Sequence, residues 1–442
     1  MNGIIAATIV WLIVGAWLLR QLGKQKEGTV GLAIAYFVLF AMVHIPGALA
    51  YLDPGFAPSP PWIVEAGYEL ATWAIVAFAV GVYLANRFPL TLRQPRGKLS
   101  SPRLYRLAIS LYVFGLFTEI VLMPVLGRVP TLTAVLVGFT NVSIAGVCLG
   151  LYGAFKSKSA ALLRHWTLLT LLFPLISLIG SAFLGAGVYS MIVVVCFAYF
   201  FARRVPPRYI LVGIGLIYVG LSFFVVYLDE RDELRRAVWI EGRGFEHRVD
   251  SVMDMFSKFE WFDPSNRNHL EAIDRRLNQN FFLGLAKTRV ESGQEELAGG
   301  RTFVFAITGL IPRVIWPNKP SIGGGGDIVA DYTGLTFRNT SVGVGQVFEF
   351  YINFGFIGVL LGMAIFGGTV QIVDRTSARG LSTNNPRLFI LAFLPGVAMM
   401  QVEGTMVEVT TSAVSSVLSA LLIIYLFNRY FRVSSQKKTA LA

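Results

Sequence analysis

The sequence predicts an all-α, polytopic bundle of membrane-spanning helices, and three observations lead there. Of 442 residues, 55% are hydrophobic and 14% charged, with a mean hydropathy of +0.62. Soluble domains hold roughly 45–50% apolar and about 25% charged residues, so this chain is built for an apolar solvent. Uninterrupted apolar runs of the length a helix needs to cross ~30 Å of hydrocarbon recur along it. Its positive charges gather in alternate connections, as a chain threading back and forth through a bilayer would place them.

About eleven runs qualify, at 3–19, 30–51, 63–86, 107–125, 132–154, 166–183, 185–202, 209–228, 347–372, 388–403 and 409–428. Connections 20–29, 87–106, 155–165, 203–208 and 373–387, with the tail from Arg429, carry 22 of the 38 Lys and Arg residues. The short connections on the other side carry only Arg128. Basic loops stay cytoplasmic, so the N-terminus is expected outward and the C-terminus inward. Three blocks follow: residues 1–228 with eight spans, an extracytoplasmic segment at 229–346, and residues 347–442 with three spans and a cytoplasmic tail. The net charge of +12 then reads as anchoring against anionic lipid and not as nucleic-acid binding. Met1 opens straight into an apolar run with no basic leader or small-residue cleavage site, which predicts that the first helix is retained.

The long segment, with 15 positive and 17 negative residues, is patterned. Apolar residues recur at helical spacing through Val249, Met253, Phe256 and Phe259, and again through Leu270, Ile273, Leu277, Phe281 and Leu285. These predict amphipathic helices that lie in the headgroup layer, cap the bundle or cover a cavity. Thr302 to Ile315 reads as a short re-entrant or interfacial helix. Beyond it, Gly323-Gly-Gly-Gly326 lacks a following Lys-Ser/Thr, so it is no nucleotide-binding loop. A connector is expected there, or backbone amides that touch a ligand.

Chemistry-bearing residues narrow the function. Cys148 and Cys196 fall inside spans, and the long segment has no cysteine, which leaves neither a disulfide nor a thiolate zinc site there. His44, His165, His247 and His269 lack metal-ligand spacing, and neither an Asp-x-Asp nor a Gly-x-Ser-x-Gly motif occurs. No metal and no cofactor are expected. His44 is expected to be a satisfied core residue. Ionisable residues at membrane depth mark functional paths, and Glu65, Glu69, Glu119, Glu349, Glu403 and Glu408 all fall toward the outer helix ends. Glu119, Glu349 and Glu403 are the candidates for an internal polar cavity.

The order Gly300-Arg-Thr302, Ile311-Pro-Arg313, Trp316-Pro-Asn-Lys-Pro320, Thr340-Ser341 and Glu349-Phe-Tyr351-Ile-Asn353-Phe-Gly355 resembles bacterial oligosaccharide repeat-unit polymerases, the Wzy-like O-antigen polymerases. The resemblance is specific over about 290–360. Elsewhere it rests on ten or more spans and one large outer segment. It implies a GT-C-like fold in the bacterial inner membrane and metal-independent glycosyl transfer between undecaprenyl-diphosphate-linked oligosaccharides at its outer face. Membrane lipid, a chain-length regulator and a flippase are the further partners implied. A lipid diphosphate leaving group needs fixed cationic donors, and Arg313, Arg338, Arg301 and Lys319 are the candidates on a stiff Pro-Trp-Pro scaffold. Trp316, Tyr351, Asn353, Glu119 and Glu403 are expected to line the substrate site. Glu349 is the candidate base, with a salt bridge to one of the arginines as the alternative. Gln346-Val-Phe stands before Glu349 where the resembled pattern has a glycine next to the acid. An O-antigen or protein O-glycosylation ligase shares the donor chemistry, and a non-enzymatic flippase or exporter component would spread its charges through the membrane instead of gathering them at one face.

Overall fold

The computed structural model describes residues 2–25, 28–89, 101–127, 130–202, 208–236, 241, 244–311, 315–316, 318, 325–337 and 342–427. Among them there are helices and no strand. The chain opens with α1 (Asn2–Gly23), α2 (Leu32–Ala50) and α3 (Pro61–Arg87). α4 (Ser101–Phe117) runs through a π-helical turn at Thr118–Leu122 into α5 (Met123–Leu126). α6 (Pro130–Thr140) and α7 (Val142–Ser157) form one rod, and α8 (Ala160–Leu171) and α9 (Phe173–Ser181) another. Pro174 in the first turn of α9 supplies no N–H, which breaks that second rod. α10 (Leu184–Phe201) and α11 (Arg208–Arg235) follow.

The long segment folds as α12 (Phe245–Ser257), α13 (Arg267–Arg276), α14 (Gln279–Glu291), α15 (Arg301–Gly309) and α16 (Gly325–Thr333). α17 (Gly345–Ser382), α18 (Pro386–Ala398) and α19 (Met406–Leu426) complete the bundle. Nine helical stretches among the described residues are long and apolar enough to cross a membrane. The chain is a multi-pass, all-helical membrane protein.

Three expected boundaries move, one of them the end of 347–372, since α17 continues to Ser382. The run at 388–403 is a 13-residue helix that ends at Ala398; at 1.5 Å per residue it is about 20 Å long, short of the hydrocarbon thickness. Residues 399–405 form a tight turn behind it, closed by Met400 N–H to Val397 O and Gly404 N–H to Gln401 O. The run at 209–228 does not stop where its charges begin, since α11 continues to Arg235. The second amphipathic pattern is divided as well. It breaks at Leu277 and Asn278, where the Asn278 amide turns back to Asp274 at 2.6 Å.

α3 and α17 form the most extensive helix pair. Small residues let them meet: a Cβ at Gly81 or Gly367 would collide with the Ala364 or Phe78 carbonyl oxygen on the opposing helix. Close backbone approach is how helices pack where lipid is as apolar as the side chains. α14 is wedged against α3 by the same device, Gly67 facing the Asn280 carbonyl and Gly284 that of Ile63, so it caps the bundle and does not float over it. Around these helices Trp11 stacks on Phe40 at 5.5 Å and Tyr36 on Phe78 at 4.7 Å. α17 is itself two helices, because Gly355 adopts φ 65° and ψ −157°, which a residue with a Cβ rarely tolerates.

The connections sort onto two faces as the charge pattern requires. On one, Arg267 donates to Gly55 O at 2.7 Å, Gly47 N–H to Leu277 O, and Gly345 N–H to Glu403 O. On the other, Lys156 reaches Asn384 at 3.0 Å and Tyr152 the Leu381 carbonyl. Asp374 there accepts from the Thr29 hydroxyl and the Val30 and Leu32 amides, and Arg375 donates to the Ala85 and Phe88 carbonyls. The described parts of the long segment and of the connections near 29, 88, 156 and 384 thus occupy opposite ends of the bundle.

Candidate functional site

Arg313, Lys319, Arg338, Thr340, Ser341 and the first two glycines of the run lie outside the described residues; the last two, Gly325 and Gly326, open α16. Of the remaining motif, the arm of α17 before Gly355 presents Gln346, Glu349 and Asn353 at helical spacing, all buried. Gln346 donates to the Gln401 and Gly404 carbonyls at 2.7 and 2.8 Å and accepts from the Tyr36 hydroxyl. Asn353 donates to the Thr302 hydroxyl at 2.8 Å and accepts the Gly300 amide at 3.0 Å. These polar side chains staple the turn before α19 and the start of α15 onto α17.

Glu349 belongs to the same staple. Fully buried, it accepts the Met406 N–H at 2.6 Å through Oε2, so its carboxylate sits on the first turn of α19. There the unpaired amides and the helix dipole favour negative charge. Among the described residues it makes no ion pair, and it borders none of the four cavities described below. Arg301 starts α15 as an exposed residue beside Asp327, Asp331 and Tyr332 around a 260 Å³ cavity. Trp316 is 39% exposed, and Tyr351 is buried near Glu291. His44 is a satisfied core residue, paired through Nδ1 with Asn280 at 2.7 Å.

Glu403 lies where chemistry could occur. The turn after α18 places it in the wall of a 290 Å³ cavity on the long-segment face, which Arg231 and Asp232 of the α11 extension and Arg275 and Arg276 of α13 also line. Gln279 and Tyr189 hold its two oxygens at 3.1 Å each. Burial pushes this carboxyl above the usual glutamate range, against those two hydrogen bonds. Phe282 and Phe337 stand edge to face, with centroids 6.0 Å apart, and form an aromatic wall. A cavity lined by three arginines and two carboxylates, in which Arg231 pairs with Asp232 at 3.3 Å, can take an anion and a proton. The sequence signals of these arginines are the charged run Asp229–Arg236 and the polar face of the second amphipathic pattern, but both are equally signatures of a solvated surface.

Glu119 is brought elsewhere. The π-helical turn, a feature frequent at functional sites, sets its side chain against Gly180 and into a separate 530 Å³ cavity that Glu408 also borders. Tyr189 lies between the two chambers, lining this one while it donates to Glu403. A fourth space, an 800 Å³ apolar groove, runs along Phe354, Ile357, Leu361 and Ile365 of α17 and Val409 and Ala413 of α19, under Phe303 of α15 and Leu310 just past its end.

Fold and site together define a multi-pass helical membrane protein with an arginine-lined chamber at one end of its bundle. The chain belongs to the family described as a domain of unknown function, DUF8712, whose model matches residues 64–381. That span takes in α3 through nearly all of α17, and with them the arginine helices and the kinked arm. No curated protein and no solved structure matches the chain.

Proposed function

We propose that the protein joins lipid-diphosphate-linked oligosaccharide repeat units into a polymer at the outer face of a bacterial inner membrane, on a GT-C-like scaffold of eleven spans that counts α11 and the short α18. The observation that carries this reading is the chamber that Arg231, Arg275, Arg276 and Glu403 line together. A transferase of this kind must neutralise a departing diphosphate and take a proton from an incoming hydroxyl. Planar guanidinium groups suit the first task and a partly buried carboxylate the second. In the step, the acceptor oxygen forms a bond to the anomeric carbon, the bond from that carbon to the diphosphate oxygen breaks, and its electron pair leaves with the phosphate. The hydroxyl proton passes to Glu403. Glu349, turned to the N-terminus of α19, holds the scaffold in this reading. The apolar groove beneath α15 offers a lipid chain a path toward the motif residues.

The deciding experiment is the glycan profile of cells lacking this protein. Single repeat units on an otherwise intact lipid anchor are expected, with polymer restored by the intact gene. Normal polymer would overturn the reading, and polymer held on the lipid but missing from its final acceptor would assign a ligase instead.

A further inference from the structure

We infer that the 530 Å³ chamber bordered by Glu119 and Glu408 is the seat of a neutral saccharide, the acceptor end of the reaction, with Tyr189 forming the partition between it and the arginine chamber. This rests on the transferase reading above. The chamber lies among the π-helical turn and helices α6, α7, α9, α10, α18 and α19. Its size is that of a small-molecule site. Among the described residues no Lys, Arg or His borders it, whereas Asn141, Ser177, Ser190 and Ser412 do, beside the two glutamates. A chamber of acceptors and hydroxyls without a cation repels phosphate and suits a ligand rich in hydroxyl donors. Phe173 and Phe183 add apolar wall, which matches the C–H faces of a sugar ring.

The arrangement around Tyr189 gives the chamber its role. Tyr189 borders the saccharide chamber and donates to Glu403 Oε2 at 3.1 Å, while Glu403 borders the arginine chamber. A donor held by its diphosphate and an acceptor held by its hydroxyls would therefore approach the Tyr189–Glu403 hydrogen bond from its two sides. Segregation by charge keeps the two ends of similar molecules from exchanging places, since the cationic room favours the phosphate and the anionic room excludes it.

The test uses full-length protein in lipid nanodiscs with single cysteines at Ser190 or Ser412, and at Arg275 for the other chamber, in a background where Cys148 and Cys196 are serine. The probes are lipid-linked repeat units extracted from cells lacking the protein, and the same oligosaccharide freed from lipid diphosphate by mild acid. A small neutral thiol reagent should label all three positions. Free oligosaccharide should slow labelling at Ser190→Cys and Ser412→Cys at least several-fold and leave Arg275→Cys unchanged, whereas the lipid-linked form should protect all three. Inert cysteines at both chamber positions, in variants that remain folded and active, would mean a closed chamber and overturn the inference. So would labelling that free oligosaccharide does not slow, even if the lipid-linked form protects Arg275→Cys; the transferase reading would survive that result. Failure of cells lacking the protein to accumulate repeat units would remove the transferase reading itself, and this inference with it.

Discussion

Glu349 and Asp374 stand near opposite ends of α17, both fully buried, and each caps the N-terminus of a neighbouring helix: Glu349 takes the Met406 amide of α19, and Asp374 the Leu32 amide of α2. A buried carboxylate usually needs a cation. Here the positive end of a helix dipole receives each one, so both acids tie α17 to a neighbouring helix.

Glu349→Gln is therefore expected to weaken the fold more than the chemistry. The amide still offers an oxygen to Met406 but forfeits the charge–dipole term, up to ~2 kcal/mol in a buried setting. Thermal unfolding in detergent should shift downward while turnover per folded molecule stays within a few-fold of the parent. Glu403→Gln should do the reverse, keeping the melting temperature and losing at least 100-fold in polymerisation. A stable, inactive Glu349→Gln protein would restore Glu349 to the reaction.

If the protein acts as proposed, acidification should lower its activity earlier than an ordinary glutamate would. The base works only when deprotonated, and burial raises the Glu403 carboxyl above its usual range, so at any given pH more of it is protonated. The acidic limb of the rate profile should accordingly lie above the usual glutamate range. In Tyr189→Phe one charge-stabilising hydrogen bond is gone, and the limb should move further up. A limb unmoved in Tyr189→Phe would remove Glu403 from the step.

Arg276→Ala is expected to lower turnover about 100- to 1000-fold, the loss typical of one transition-state donor. Arg276→Lys should recover little, because an ammonium cannot grip two phosphate oxygens with a planar fork. Full activity in the lysine variant, measured at equal protein abundance, would show that charge alone suffices there.

Asp374→Ala should destabilise without touching the site. It strips acceptors from the Thr29 hydroxyl and the Val30 and Leu32 amides, and each stranded donor costs about 1–3 kcal/mol. A melting temperature within error of the parent would show that water replaces the carboxylate.

Sidedness has its own check. Ser265 and Ser292 are exposed on the long-segment face, and single cysteines there should react with an impermeant thiol reagent in intact cells. Reaction only after permeabilisation would invert the orientation drawn from the basic connections.

Membrane-depth periodicity made most of the fold legible, because span length is imposed by the solvent. The gathering of 22 positive charges on alternate connections led to the expectation of two faces, and the described connections at Lys156 and Asn384 meet on one of them. What escaped were features set by partners distant in the chain. Ala398 ends α18 inside an apolar run because the following turn is stapled by Gln346 from α17. Asp374 fell in a stretch read as a basic connection, and only contact with α2 shows it buried. In the site, Glu119 and Glu403 were picked out as acids at membrane depth, and both border cavities. Arg231, Arg275 and Arg276 were not, since a charged residue beyond a span is ordinarily solvated. Their convergence depends on how α11 and α13 approach each other.

Clamped by a carboxylate at either end, α17 behaves as a strut of fixed length between the two faces. It cannot slide by a turn to suit a thicker or thinner bilayer without releasing α19 or α2, so mismatch must be met by tilting the whole bundle. The bend at Gly355 is where the upper arm could pivot while the lower one stays anchored. Activity reconstituted in bilayers of graded acyl length would then fall on both sides of an optimum, and a stiffer residue in place of Gly355 should narrow it.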